Sequence, residues 1–198
     1  MRTTIGLVLA LAVLTAACGS SDDADGGDAA APETTAASGV AVFSDDFESV
    51  CRGTGVAAAA AYDPAAPGPH PLLVFAGEDP EYSQRFATLP DGWEASYPDL
   101  DRAELVVCVD RTSATQVRTC TDYEVDAEGD YRVEVFDASY EVTLYRATDA
   151  SVVDSTSFDV VSDGCPGFVL FTEGEEVKEW FDPYDDRLEA FLQPHVAG

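Results

Sequence analysis

The rhythm of apolar and polar positions changes three times along this chain. Ile5 to Leu14 is an almost unbroken apolar run. Gly19 to Gly39 holds Ser, Asp, Gly, Ala and Thr, with no large apolar residue that could bury surface against chain entropy. From Val40 onward apolar residues recur in short clusters between Gly, Pro and Asp. Val56 to Tyr62, rich in alanine, fits either a helix or a buried strand. Pro64 to Pro71 carries four prolines and reads as a loop. Leu72-Leu73-Val74-Phe75 is bounded by breakers and predicts a buried strand. Asp79-Pro80 has the form of a helix N-cap with a first-turn proline, and Tyr82 and Phe86 share a face at i,i+4, so a short helix is expected to about Ala87. Leu89 to Trp93 reads as a turn delivering Trp93 to the core or its rim.

From Glu104 the period becomes two. Leu105, Val107 and Val109 alternate with Val106, Cys108 and Asp110. A loop at Thr112 to Gln116 would fold Val117 to Val125 back onto this strand. After the turn at Glu128-Gly129-Asp130, Tyr131, Val133 and Val135 predict a strand. Asp137 to Ser139 reads as a turn, Tyr140 to Leu144 as a strand, and Val152 to Val161 as a long strand after a further turn. Phe168 to Phe171 is expected to be the last strand. A helix is expected from Asp182-Pro183, with Leu188, Phe191 and Leu192 on one face, stopping before Pro194. The pattern predicts a mainly β fold, with α+β as the alternative: an antiparallel meander or sandwich-like sheet with one or two short helices, one of them C-terminal.

Residues 1–17 have the form of an export leader: Arg2 at the start, an apolar core too short for a bilayer of roughly 30 Å, then small residues Ala16 and Ala17 before Cys18. Leu14-Thr15-Ala16-Ala17-Cys18 resembles the lipobox of bacterial lipoproteins. The resemblance implies a diacylglycerol-modified Cys18 as the new N-terminus, anchored to the outer face of the cytoplasmic membrane. Residues 18–39 then form a lipidated acidic tether, and 40–198 a single β-rich domain.

Charge narrows the partners. Lys plus Arg is 10 and Asp plus Glu is 38; loss of Arg2 with the leader leaves 9 against 38, a net of −29. Binding nucleic acid depends on cations that neutralise phosphates, so nucleic acid is excluded as a partner. The acids are spread along the whole chain, as on a solvated surface whose self-repulsion is screened within about 8 Å at physiological salt. The sharper alternative is a cation or basic-ligand site. There is no asparagine, hence no N-glycosylation site.

Besides Cys18 there are four cysteines, Cys51, Cys108, Cys120 and Cys165. An even number in an exported chain argues for two disulfides. Of three possible connectivities, the hairpin register favours Cys108–Cys120, leaving Cys51–Cys165. No Cys-x-x-Cys pair occurs and the two histidines are remote in sequence, so no zinc site is expected.

Catalytic chemistry is thin. His70 sits in the proline loop and His195 near the end. No Gly-x-Ser-x-Gly, His-Glu-x-x-His or phosphate-cradling glycine loop occurs. Asp126, Glu128 and Asp130 occupy positions 1, 3 and 5 of a loop, but Tyr131 stands where an EF-hand requires glycine, so a plain turn is expected. Asp182, Asp185 and Asp186 read as dipole partners of the C-terminal helix. Trp93, Trp180 and the tyrosines read as core and rim residues. The residues from about Arg102 to Pro166 resemble extracytoplasmic domains of unknown function from high-GC bacteria, in the strand Leu105 to Val109, in Cys120 with Tyr123, and in Cys165-Pro166; that resemblance implies no activity. The expectation is a non-catalytic, lipid-anchored binding module without cofactor, catalytic residue or metal, with a protein or glycan partner. The alternatives are an extracytoplasmic hydrolase using paired carboxylates and a small solute- or cation-binding lipoprotein.

Overall fold

Two apolar runs, Leu72–Phe75 and Leu105–Val109, become neighbouring parallel strands at the centre of the molecule. The structure is a computed structural model and describes residues 43–78, 81–121, 123, 129–172 and 174–198. Its elements are α1 (Ser44–Cys51), β1 (Leu72–Glu78), β2 (Glu81–Gln84), a 3-10 turn (Leu100–Arg102), β3 (Leu105–Cys120), β4 (Arg132–Arg146), β5 (Val152–Val160), β6 (Val177–Phe181) and α2 (Asp185–Val196). The fold is mainly β with two helices, one of them C-terminal, in an α+β arrangement.

One mixed sheet runs β2-β1-β3-β4-β5, with β6 beside β4. β3, β4 and β5 form the antiparallel meander that the alternation predicts. β1 and β6 enter parallel, to β3 and β4 respectively. β3 occupies one edge of β4 along its length. The other edge is shared by β6 against Arg132–Phe136 and β5 against Ala138–Tyr145.

The continuous apolar runs follow from burial on both faces. Leu72, Val74, Leu105, Val107 and Val109 pack toward α2, whose Leu188, Leu192 and Val196 are fully buried. Leu73, Phe75, Val106 and Cys108 pack the opposite way, toward Phe47 and Val50 of α1. Each such side chain contributes about 2 kcal/mol by leaving water. A third, smaller cluster of Cys120, Val133 and Val135 with Val169, Phe171 and Trp180 lies at the far end of β3 and β4.

Several expectations are corrected. The segment after Pro80 is strand β2, not a helix: its backbone pairs with the edge of β1, Tyr82 packs into the α1-side core, and Phe86 is 81% exposed, so the i,i+4 pair buries no common face. Val56–Tyr62 forms neither helix nor strand. The two predicted hairpins around Thr112–Gln116 and Asp137–Ser139 are instead the long strands β3 and β4, 16 and 15 residues. No Gly or Pro interrupts either stretch, Ala138 is buried in the core, and two register shifts absorb the misfit. Phe168 to Phe171 is not a strand; Phe168 is 74% exposed, and β6 is the last strand. α2 starts three residues later than Asp182 and runs through Pro194, because fully buried Val196 and the bond from His70 N–H to Val196 O (3.0 Å) hold the last turn.

The disulfides are Cys51–Cys108 and Cys120–Cys165, with Cα separations of 5.6 and 5.9 Å. The pairing of Cys108 with Cys120 fails because both lie in one extended strand, about 40 Å apart at 3.3 Å per residue. The leader, Cys18, the tether and Asp79-Pro80 lie outside the described residues, as do Asp126 and Glu128 of the acidic turn.

Candidate functional site

The α1-side face of the sheet changes character halfway along. Val106, Cys108 and Tyr145 lie under α1 and its neighbouring loops. Beyond Asp110 the same face is polar. Alternation puts Ser139 and Glu141 of β4 on the side opposite buried Tyr140 and Val142. Their cross-strand partners continue the row: Ser113 and Thr115 of β3 oppose Ser139 and Asp137, while Ser157 and Asp159 of β5 oppose Glu141 and Ser139. The register shift between Arg111 and Ser113 also brings Thr112 to this surface.

Here the sheet forms a shallow, open groove. One part, about 410 Å³, includes Thr112, Glu141, Ser157 and Asp159. A second, about 250 Å³, includes Ser113, Thr115, Asp137 and Val161. They share Ser139 and Asp159. Two carboxylates are fixed from within the protein: the Ser139 hydroxyl donates to Asp159 Oδ1 (2.7 Å), and Ser162 N–H donates to Asp137 Oδ1 (2.8 Å). The Thr112 hydroxyl donates to Ser139 O (3.2 Å). The groove can exchange hydrogen bonds with a ligand in both directions, from hydroxyls that donate and accept and from carboxylates that accept.

The fold also brings together the two histidines that are remote in sequence. His70, 2% exposed, holds Glu104 Oε2 through Nδ1 at 2.7 Å. His195 holds Asp154 Oδ2 through Nε2 at 2.9 Å. Tyr62 joins them: its ring meets His70 edge-on at 5.0 Å, and its hydroxyl donates to His195 O at 3.2 Å. Burial pushes the Tyr62 phenol up, with nearby Arg146 opposing and Glu104 adding. His70 Nε2 is buried without a hydrogen-bond partner among the described residues. What the cluster visibly does is fasten the last turn of α2 to the proline loop and to β5.

A third cluster surrounds Arg85. Its guanidinium pairs with Asp185 (2.6 Å) in the first turn of α2 and lies 4.3 Å over the Tyr184 ring. Burial pushes Tyr184 up to about 12, with Arg85 opposing and Tyr140 and Asp185 adding. Glu94, which accepts from Ala87 N–H, is also pushed up by burial, against the hydrogen bond and Arg85. Asp185 and Asp186 stand in the first turn of α2 as dipole partners. Asp182 precedes the helix and accepts from Trp180 Nε1 (2.8 Å) and Asp163 N–H (3.2 Å). Burial raises Asp182, but these bonds and the Ser162 hydroxyl outweigh it and leave its carboxyl low. Trp93 is buried in the core, and Trp180 is half-buried in the small apolar cluster of Cys120, Val133 and Val135.

Among the described residues no three His, Cys, Asp or Glu side chains converge to hold a metal ion. Two disulfides suit an oxidising, extracytoplasmic compartment. No helix among the described residues is long and apolar enough to cross a membrane. The groove is missed by a reading that seeks named motifs. Its signal is Ser, Thr, Asp and Glu at alternate positions of three successive strands, Ser113/Thr115, Asp137/Ser139/Glu141 and Ser157/Asp159. Comparison with protein-family models, curated proteins and solved structures finds no match.

Proposed function

We propose that this chain is a lipid-anchored extracytoplasmic binding module, without catalytic activity, held at the outer face of the cytoplasmic membrane through Cys18 and an acidic tether. The observation that carries the reading is the open groove of about 410 Å³ on the half of the sheet face that α1 leaves uncovered. Its volume falls within the roughly 300–1,000 Å³ of small-ligand sites. The leader pattern and the two disulfides support the location.

The anchor is tested by Cys18→Ala. Two or three acyl chains hold a protein stably at a membrane, at about 0.8 kcal/mol per buried methylene, so the variant is expected in the soluble fraction. Its retention in salt-washed membranes would remove the anchor. Release of reducing ends from a neutral oligosaccharide by the purified protein would replace the module with a hydrolase.

A further inference from the structure

We infer that the groove takes a neutral, polyhydroxylated ligand, a stretch of glycan chain, an assignment that rests on the binding-module reading. Five hydroxyls line it, from Thr112, Ser113, Thr115, Ser139 and Ser157, against three carboxylates, from Asp137, Glu141 and Asp159. The hydroxyls of Ser113, Thr115 and Ser157 engage no protein partner among the described residues. They are free to exchange water for ligand.

No Lys, Arg or His lines the groove. A phosphate, sulfate or carboxylate ligand would find no counter-charge there and would meet the field of a chain with net charge −28. A bare divalent ion fits no better. Calcium takes six to eight oxygens at about 2.3–2.6 Å. Asp137 and Glu141 sit four residues apart along β4, about 13 Å, and Asp159 lies on the next strand opposite Ser139. An apolar ligand would strand the hydroxyls, since Tyr140 is buried in the core on the other face.

A sugar chain answers each of these features. Its hydroxyls donate to the second oxygens of Asp137 and Asp159, whose Oδ1 atoms already hold protein donors, and they both donate to and accept from Ser and Thr. Neighbouring strands repeat at about 4.8 Å, so an extended chain crossing β3, β4 and β5 meets one polar row after another. The floor is rigid because it is strand, so little ordering is required on binding. The two aromatic residues at the groove, Tyr140 and Phe158, pack with each other and with Tyr184 rather than standing exposed for stacking, so a single site is weak, with Kd in the millimolar range, and membrane-held copies gain by engaging one polymer together.

The experiment is an amide-resolved NMR titration of the full chain in detergent. The probes are four neutral hexasaccharides (α-gluco, β-gluco, α-manno and β-galacto), hexalysine, and CaCl2. Saturable shifts at Ser113, Ser139, Glu141 and Ser157 are expected with at least one hexasaccharide. Ser113→Ala/Ser157→Ala should weaken that binding about tenfold or more while leaving the melt unchanged, since two hydroxyl hydrogen bonds are lost. Hexasaccharide shifts outside the groove, or binding untouched by the double variant, would overturn the assignment. Groove shifts with hexalysine or CaCl2 alone would overturn the glycan assignment and leave the binding module standing. No groove shift with any probe would overturn both.

Discussion

The two halves of this sheet are built on opposite terms. In the near half, Leu72–Phe75 of β1 and the first five residues of β3 are buried, with side chains packed alternately toward α2 and α1. In the far half, every residue of β3 from Thr112 to Thr119 is exposed, and Asp110 is the last residue of β3 that pairs with β1. What orders the far end is a small apolar cluster and the Cys120–Cys165 bond. The same strand therefore belongs to a core and then to a surface. The core fixes the strand positions, and the exposed continuation displays polar side chains at strand spacing. Cohesion and polar display are divided along the strands rather than between layers.

The strongest way to break this comparison is to remove one disulfide at a time. The bonds close loops of similar length, with sequence separations of 57 and 45 residues, so chain entropy assigns each about 4 kcal/mol. Their location predicts different outcomes. Cys51→Ala/Cys108→Ala acts inside the α1-side core and should lower the midpoint of the whole cooperative melt. Cys120→Ala/Cys165→Ala should leave the main transition within a few degrees and speed amide exchange at Val133 and Val135. Equal drops in one transition would mean that the halves unfold together.

A second contrast uses one strand. Leu105→Ala deletes a fully buried side chain at the start of β3 and should cost about 2–5 kcal/mol. Thr115→Ala, ten residues on, removes an exposed hydroxyl and should stay within about 0.5 kcal/mol. Denaturant melts of the two variants decide it. A Thr115 cost approaching that of Leu105 would show that the far half carries structure as well as display.

The near half was the legible part of the sequence. Leu72–Phe75 declares itself because a strand buried on both faces is apolar at every position, and Leu105–Val109, read as an alternating strand with one apolar face, proves buried on both. The Leu188 and Leu192 stripe likewise announces α2. The far half was misread for the converse reason. Exposed Thr112–Gln116 carries no large apolar residue, and Asp137–Ser139 shows only a small buried alanine between half-buried polar residues, so both look like turns although they continue β3 and β4. That error carried the disulfide assignment with it, since pairing Cys108 with Cys120 needed a hairpin that does not exist. α1 was not anticipated: an eight-residue helix with only Phe47 and Val50 buried leaves little periodicity to read. The groove was hidden by the same exposure, because polar residues on an open sheet face resemble any solvated surface until register lines them up across three strands. The meeting of His70 with His195 through Tyr62 depends on tertiary contacts at a separation no local pattern encodes.

The junction between the halves can be probed on its own. Tyr184 packs against Tyr140 and Phe158, two residues whose strands form the groove floor on the opposite side of the sheet. Burial raises the Tyr184 phenol from 10.0 to about 12. A folded-state pKa above the unfolded one means that the unfolded chain holds fewer protons between these values. Its share of stability is therefore fully present below pH 10 and is lost as pH rises toward about 12. At roughly 1.4 kcal/mol per unit, the loss over that window is about 2–3 kcal/mol. Tyr184→Phe should flatten the stability profile between pH 10 and 12 and remove one late-titrating phenolate from the absorbance titration. Its profile should coincide in shape with that of the natural chain below pH 9. Parallel profiles across the alkaline window would mean that Tyr184 opens to water without unfolding. The boundary between covered and displayed sheet would then lie nearer α2 than the packing of this aromatic trio implies.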